Sequence, residues 1–471
     1  MKKNLFTLIL GLTTCFVQSQ NSTLTVQNGF GGGTYALNDT VYALANPTPT
    51  NFVFAKWQHT NGAIADTFAV PTLLRKSNAA QTLTPQYTAS AAWTERYEVI
   101  NGSNVYFYFP RASTQLRGVI SFHHGATGNA AGWVQKLENR TFLNYAVSQG
   151  YGVFATESRD RLTDPNAAKQ WSNNTTLATN EDARNIQSLL DTFRVRGYIM
   201  ATTRKFGVGF SQGSGFTSLV SALLGFNANC LGAIPGINAA IAQTQSPTFF
   251  MSSRLDTLED NQRLQKCITN YNTLVSRGIP TKIMIHEPFP ITPNRFWRIE
   301  GLDSLKSVDI YNRLKNNGFL TTKNFLNFNP RAASSWKSVM MPTYNAYLND
   351  IDDQLYVCFT EHKFHSDHQY YVIEFFNRFA SPSVSVKEQL SSLAALRLFP
   401  NPNDGLLQFA CTEGFKKINI FDVNGRLVQT QSFTNAVKSS AIEISQLSVG
   451  IYIVQITLEN GERVSEKLVK K

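Results

Sequence analysis

The stretch Gly209-Phe210-Ser211-Gln212-Gly213 decides the fold of the central part of the chain. It follows the apolar run Phe206-Gly207-Val208 and precedes a helix-like segment, residues 216–225. A Gly-x-Ser-x-Gly motif between a strand and a helix predicts a nucleophile elbow, where the serine sits on a strained turn and its hydroxyl projects above the sheet edge. Side chains at the two glycine positions would collide with the strand and the helix. The positive end of the helix dipole lies beneath the serine and favours developing negative charge. We therefore predict that Ser211 is a nucleophile that cleaves acyl bonds.

A second loop upstream supports this interpretation. The segment Gly118-Val119-Ile120-Ser121-Phe122 has the composition of a buried strand and ends in His123-His124-Gly125-Ala126-Thr127-Gly128-Asn129. A His-Gly loop after an early strand is typical of enzymes in which one oxyanion-hole amide comes from that loop and the other from the residue after the nucleophile. We predict that the backbone N–H groups of Gln212 and Ala126 form this hole.

Strands and helices alternate around the elbow. Residues 151–156 have the pattern of a strand, and residues 180–193 have that of a helix whose apolar face comprises Ala183, Ile186, Leu189, Leu190 and Phe193. Two further apolar strands are predicted at 230–234 and 248–251. This order predicts an α/β fold with a doubly wound, mostly parallel sheet, in which catalytic groups gather at the carboxyl ends of the strands.

The partners of Ser211 are predicted from their positions after these strands. Asp256 lies five residues beyond Met251 and is the preferred acid, with Asp260 as the second choice. His362 lies on a loop before the predicted final helix, residues 370–379, and is the preferred base. His365 and then His286 remain as alternatives.

The order Ser211, Asp256, His362 resembles that of the α/β-hydrolase superfamily, and residues 93–380 resemble its secreted esterases and lipases. The resemblance implies ester hydrolysis through an acyl-enzyme intermediate, with no cofactor and no metal. Residues 287–348 depart from the family, because they replace a usually short loop. We predict that this insertion caps the acyl pocket, and two roles stay open for its aromatic side chains, lining a cleft or packing against each other. These aromatic residues are Phe289, Phe296, Trp297, Phe319, Phe325, Phe328 and Trp336.

The two ends of the chain predict its destination. Residues 1–19, with Lys2 and Lys3 before an apolar run, have the features of a secretory signal peptide. Residues 396–471 follow a linker at 381–395 and alternate apolar and polar residues around Asn424-Gly425, which predicts a small antiparallel β-sandwich with a hairpin turn. Their Pro400-Asn401-Pro402 start resembles the type A C-terminal sorting domain of the type IX secretion system. The resemblance implies interaction with that machinery and a secreted or cell-surface location.

Residues 22–88 predict a third module, a small β domain. A Gly-rich segment at 29–33, Phe54-Ala55-Lys56-Trp57 and a closing Tyr87 resemble the internalin-type bacterial repeat of surface proteins. A structural spacer is favoured over a binding role.

Composition limits the functions that remain. The 471 residues carry a net charge of +11 without basic blocks, and loss of Lys2 and Lys3 leaves +9, which argues against nucleic-acid recognition. No segment after the signal is long enough to span a membrane. No Cys or His spacing predicts a metal site. The closest pattern, His362-x-x-His365-x-x-His368, is explained by a catalytic-histidine loop. The predicted partner is an ester substrate, with lipid and polymer both open. A secreted peptidase of the same fold and an inactive surface-binding protein are the alternatives.

Overall fold

The structure, a computed structural model, describes residues 21–61, 64–160, 170–259, 261–380, 396–422, 426–459, 461 and 463–471. The predicted signal peptide, the predicted linker, the Asn424-Gly425 turn and the second-choice acid Asp260 lie outside these residues. The chain divides into two compact units, Met1–Ser383 and Val384–Lys471. The predicted N-terminal module therefore belongs to the same unit as the central sheet.

An eight-stranded sheet forms the centre of the first unit. Its strands are β8 (Arg96–Ile100), β9 (Ser103–Tyr108), β10 (Gly118–His123), β11 (Tyr151–Thr156), β12 (Lys205–Phe210), β13 (Ala228–Gly232), β14 (Thr248–Ser253) and β15 (Thr281–His286). Their order is β15-β14-β13-β12-β10-β11-β9-β8, and every pair from β15 to β11 is parallel. β10, β11, β13 and β14 are buried along their whole length, as expected when helices cover both faces of a parallel sheet. The predicted α/β class is confirmed for this part of the chain.

The strand order reverses at β10, because β11 lies on one side of it and β12 on the other. In doubly wound sheets the carboxyl ends of the strands at such a switch point form a crevice for ligands. The His-Gly loop follows β10 and Ser211 follows β12 directly. The topology thus brings the two predicted parts of the site to one position.

Ten α-helices are present in the described residues. They are α1 (Ala131–Gln135), α2 (Leu137–Ser148), α3 (Glu181–Val195), α4 (Gln212–Leu224), α5 (Asn238–Gln243), α6 (Arg263–Ser276), α7 (Ser304–Asn316), α8 (Trp336–Met340), α9 (Leu348–Phe359) and α10 (Gln369–Asn377). None of the helices in the described part of the chain is both long enough and apolar enough to cross a membrane.

Helix α3 shows how the local sequence sets an element. Asn180 caps it by accepting a hydrogen bond from the Ala183 amide at 2.9 Å. Glu181 and Asp182 lie in the first turn and Arg194 in the last, which suits the helix dipole. The predicted apolar face is confirmed, since its five residues are all buried.

The insertion, residues 287–348, contains α7 and α8 and forms a hydrophobic core of its own together with α9. Of its aromatic side chains, Phe289, Phe296 and Trp336 are buried in that core, and Phe319 and Phe328 pack against it. These five aromatic residues therefore pack against each other and their neighbours. Of the two roles left open by the sequence, the packing role describes them.

The N-terminal module consists of two small sheets. Its strands are β1 (Ser22–Val26), β2 (Gly29–Phe30), β3 (Gly33–Tyr35), β4 (Thr40–Ala45), β5 (Phe52–Thr60), β6 (Pro71–Arg75) and β7 (Gln81–Ala89), arranged as β3-β1-β7-β5 and β2-β4-β6. Trp57 is buried between the sheets and donates a hydrogen bond to the Ala69 carbonyl at 3.0 Å. Phe68 stacks on Tyr370 at 3.8 Å between ring centroids, and Tyr371 donates to Asp66 at 2.7 Å. The module thus braces α10, the helix that follows the His362 loop.

The second unit is one antiparallel sheet built from β16 (Leu396–Phe399), β17 (Leu406–Asp422), β18 (Leu427–Glu443), β19 (Gly450–Leu458) and β20 (Arg463–Lys470). The predicted sandwich of two sheets is wrong in this respect. The long strands β17 and β18 shift register between Ala410 and Lys417, and such irregularities bend a strand. A single bent sheet can then surround the core that two sheets were expected to enclose.

Candidate active site

Ser211 lies between β12 and α4 with φ 54° and ψ −129°. A non-glycine residue with positive φ is strained by about 1–3 kcal/mol and persists only where its surroundings hold it. The Ser211 amide donates to the Gly232 carbonyl at 2.9 Å, and the Ser211 carbonyl accepts from the Ser214 amide at 2.7 Å. These bonds fix the turn between the ends of β12 and β13, and they leave the half-buried Ser211 side chain at the carboxyl edge of the sheet.

The glycines of the motif are required by close backbone approach. A Cβ atom on Gly209 would lie 2.3 Å from the Gly213 carbonyl oxygen, and one on Gly213 would lie 2.2 Å from the His123 carbonyl oxygen. The first turn of α4 therefore packs directly against the end of β10. This contact brings the His-Gly loop to the serine, and a Cβ on Gly125 would lie 3.2 Å from the Ser211 Cβ.

Three predicted residues meet at this edge. Ser211 Oγ lies 2.8 Å from His362 Nε2, and His362 Nδ1 lies 2.6 Å from Asp256 Oδ2. The Asp256 and His362 side chains are only 2 % and 6 % exposed, so water competes little for this hydrogen bond. The carboxylate accepts from Nδ1–H, which leaves Nε2 with a lone pair directed at the serine hydroxyl. The arrangement can remove the proton of Ser211.

Glu361 connects the loops that carry these residues, and the sequence interpretation missed it. Its fully buried carboxylate accepts hydrogen bonds from the Thr257 amide at 3.1 Å, the Thr257 hydroxyl at 2.7 Å and the His362 amide at 2.9 Å. Asn329 and Arg331 of the insertion bind the same carboxylate at 2.8 and 3.2 Å. Burial alone would raise the pKa of Glu361, but these hydrogen bonds outweigh it and hold the pKa below its ordinary value. Glu361 joins the Asp256 loop, the His362 loop and the insertion.

The predicted oxyanion-hole residues lie on the two segments next to Ser211. Gln212 begins α4, and its side-chain amide binds both the amide and the carbonyl of Trp171 at 2.9 Å each. Ala126 lies in the His-Gly loop. Within the described ranges, neither backbone amide donates a hydrogen bond to another protein group. Both amides thus have unused donor capacity beside the serine.

His123, at the end of β10, contacts the first turns of α4. Its Nδ1 lies 2.7 Å from Thr217 Oγ1, and that hydroxyl donates to the Gly213 carbonyl at 2.7 Å. Since the hydroxyl proton is used, His123 Nδ1 carries the proton of the first bond. Burial, and then the neighbouring His124, lowers the pKa of His123 to about 3, so the ring is neutral near pH 7. His123 therefore couples the end of β10 to the first turns of α4.

The second-choice bases occupy another place. His286 and His365 stack on each other with ring centroids 4.0 Å apart, and His368 completes their cluster. Neither His286 nor His365 hydrogen-bonds Ser211, whereas His362 does. The sequence spacing grouped His365 and His368 with His362, but the end of β15 brings His286 to them instead.

A cleft of about 390 Å³ lies between the N-terminal module and the central domain, and its lining includes Phe52, Trp93, Arg140 and Arg298. Ser211, Asp256 and His362 do not line this cleft. The four cysteines in the described part of the chain, Cys230, Cys267, Cys358 and Cys411, are buried free thiols.

Comparison with known proteins identifies one part of the chain. Residues 397–471 match the family described as the secretion system C-terminal sorting domain. The C-terminal unit is a sorting domain. It directs the protein through the type IX system to the cell surface or the extracellular space, as the resemblance of its Pro-Asn-Pro start implied. A search of curated protein sequences finds no match.

Parts of several solved structures are similar to parts of this chain. An esterase from Pyrococcus furiosus, Pf2001, is 11% identical over 41% of this chain and 86% of its own, with a TM-score of 0.32. An acetyl xylan esterase from Aspergillus awamori is 14% identical over 39% of this chain and 81% of its own, with a TM-score of 0.30. An acylaminoacyl peptidase from Pyrococcus horikoshii is 12% identical over 67% of this chain and 52% of its own, with a TM-score of 0.32.

Proposed function

We propose that this protein is a secreted serine hydrolase that cleaves carboxylic esters through an acyl-enzyme intermediate. One observation carries the proposal: a serine on a strained strand-to-helix turn lies 2.8 Å from an imidazole that a buried carboxylate holds at 2.6 Å. This is the geometry of a nucleophile, a general base and an orienting acid.

The reaction follows from the positions of these groups. His362 Nε2 takes the proton from Ser211 Oγ as that oxygen attacks the ester carbonyl. The amides of Gln212 and Ala126 stabilise the resulting oxyanion. Collapse of the intermediate expels the alcohol, which takes the proton from His362. Water, activated by the same imidazole, then attacks the acyl-enzyme, releases the carboxylic acid and restores the serine.

Asp256 and Glu361 have different roles in this scheme. Asp256 keeps the proton on Nδ1 and stabilises the imidazolium that forms during the reaction. Glu361 is a positioning residue, because it holds the backbone of both loops without contacting the reacting atoms. Asn329 and Arg331 of the insertion contact Glu361, which supports a role for the insertion in the choice of substrate.

Substrate class is tested directly on the purified secreted protein. We expect turnover of p-nitrophenyl esters of graded acyl length, little turnover of peptide p-nitroanilides, and no turnover of either by Ser211→Ala. Faster cleavage of the amides would replace the ester proposal by a peptidase. Equal, measurable rates for wild type and Ser211→Ala would exclude Ser211 as the nucleophile. No turnover of any ester or amide by the wild type would favour a surface-binding role.

A further inference from the structure

Three histidines outside the triad form a buried cluster. His286 is the last residue of β15, and His365 and His368 lie on the loop between α9 and α10. One ring nitrogen from each lies within 4.8 Å of the other two. The backbone thus assembles three imidazoles from two separate segments of the chain.

Four of the six ring nitrogens in this cluster have no hydrogen-bond partner among the described residues. His286 Nε2 lies 3.1 Å from the Val357 carbonyl oxygen, and since that oxygen only accepts, Nε2 carries the proton and Nδ1 has a free lone pair. His286 Nδ1, both nitrogens of His365 and Nδ1 of His368 have no hydrogen-bond partner in the described part of the chain. Buried polar atoms without partners are rare in native proteins, and each calls for a cause such as a bound ion.

The surrounding charges leave the cluster neutral. Arg295 and Arg298 pair with Asp367 and Glu138 at distances from 3.2 to 3.8 Å, so two cations balance two anions. His286 and His365 are each only 2 % exposed, and burial among groups whose charges cancel favours neutral imidazole. Neutral imidazole is the form that binds metal ions.

We propose that His286, His365 and His368 bind a divalent transition metal ion such as zinc. Zinc–imidazole bonds of about 2.0–2.1 Å in tetrahedral geometry place ligand nitrogens about 3.4 Å apart, so the widest gap must close by about 1.4 Å. The hydrogen bond from His286 Nε2 to a backbone carbonyl is the outer contact that orients metal-binding histidines. A water molecule completes the four ligands.

The ion links the loop that carries the proposed general base to the central sheet of the proposed hydrolase. His365 follows His362 by three residues, whereas His286 belongs to the sheet. Metal binding therefore anchors the loop of the general base to the end of β15. The role is structural, and the binding of the ion does not depend on ester hydrolysis.

The test uses the full-length secreted protein without a polyhistidine tag, freed of metal by a chelator and titrated with zinc. We expect one zinc per chain by elemental analysis. At a free zinc concentration about a hundredfold above Kd, Tm should rise by about 4 °C, while magnesium should leave it unchanged. His59→Gln, at an exposed histidine of the N-terminal module, and Ser211→Ala should bind zinc as the wild type does.

His365→Gln and His368→Gln should lose the bound zinc and the rise in Tm. Should either variant fail to fold, the wild-type titration and the remaining variant decide the question. The proposal is overturned if the wild-type protein binds no stoichiometric zinc, or if zinc binding survives in the His365→Gln variant. Loss of zinc in Ser211→Ala with retention in His365→Gln would place the ion at the triad and also overturn it.

Discussion

Replacing Gly213 by alanine tests the packing that the site geometry depends on. The added Cβ would lie 2.2 Å from the His123 carbonyl oxygen and 2.4 Å from that of His124. Both are backbone atoms, so no side-chain rotation relieves the contact. Gly215, two residues along the same helix, is the matched control, because a Cβ there meets only Ile237 at 3.5 Å.

The size of the effect follows from this distance. Real Cβ atoms keep at least 3.0 Å from such neighbours, so Gly213→Ala must separate α4 from the end of β10 by about 0.8 Å. A shift of about 1 Å in a catalytic arrangement costs roughly a hundredfold in rate. Gly215→Ala should instead stabilise the helix by about 0.5–1 kcal/mol, because alanine loses less backbone entropy than glycine.

The assay compares kcat/KM for a p-nitrophenyl ester and the midpoint of urea unfolding in both variants. We expect a roughly hundredfold loss of kcat/KM in Gly213→Ala and near-normal activity in Gly215→Ala. Equal activity in the two variants would refute the argument that contact between α4 and β10 positions Ser211. Equal loss would show that any added methyl group in this helix is harmful.

Three further predictions address the residues around the serine and the end of the chain. His362→Ala should lower kcat by about 10⁴-fold or more, whereas His286→Ala should cost far less; an inactive His286→Ala would reverse the assignment. Because the folded pKa of His123 is about 3 and its ordinary value is 6.5, stability is full above pH 6.5 and falls as the pH drops towards 3. His123→Asn should therefore reduce the loss of unfolding free energy between pH 7 and 5 by about 2 kcal/mol, and an unchanged loss in urea titrations would contradict this. Deleting residues 396–471 should leave periplasmic hydrolase activity intact but stop release from the native cell, and truncated enzyme in the medium would argue against the sorting role.

Local patterns in the sequence were sufficient for the elements around the serine. The Gly-x-Ser-x-Gly motif, the apolar face of α3 and the apolar strands predicted a parallel sheet, because helix and strand periods are properties of short segments. The loop after each strand could then be assigned to one edge of the sheet. Asp256 and His362 were selected by this reasoning; in the structure His362 contacts Ser211, and Asp256 contacts His362.

Contacts between distant segments were not predictable in the same way. Glu361 has a role only because Thr257 and Asn329 approach it from other loops, and no spacing in the sequence signals this. The His286 cluster was missed because its members are separated by the insertion. The bend that makes one sheet of the C-terminal unit depends on register shifts, which alternation of apolar and polar residues does not encode.

The central claim is that Ser211 is the nucleophile, and covalent labelling tests it most directly. Intact protein is treated with a fluorophosphonate, digested and mapped by mass spectrometry while residual esterase activity is followed. We predict one label per chain, located on Ser211, with activity lost in proportion to labelling. A label on a different serine, or full esterase activity in protein labelled at Ser211, would contradict the account.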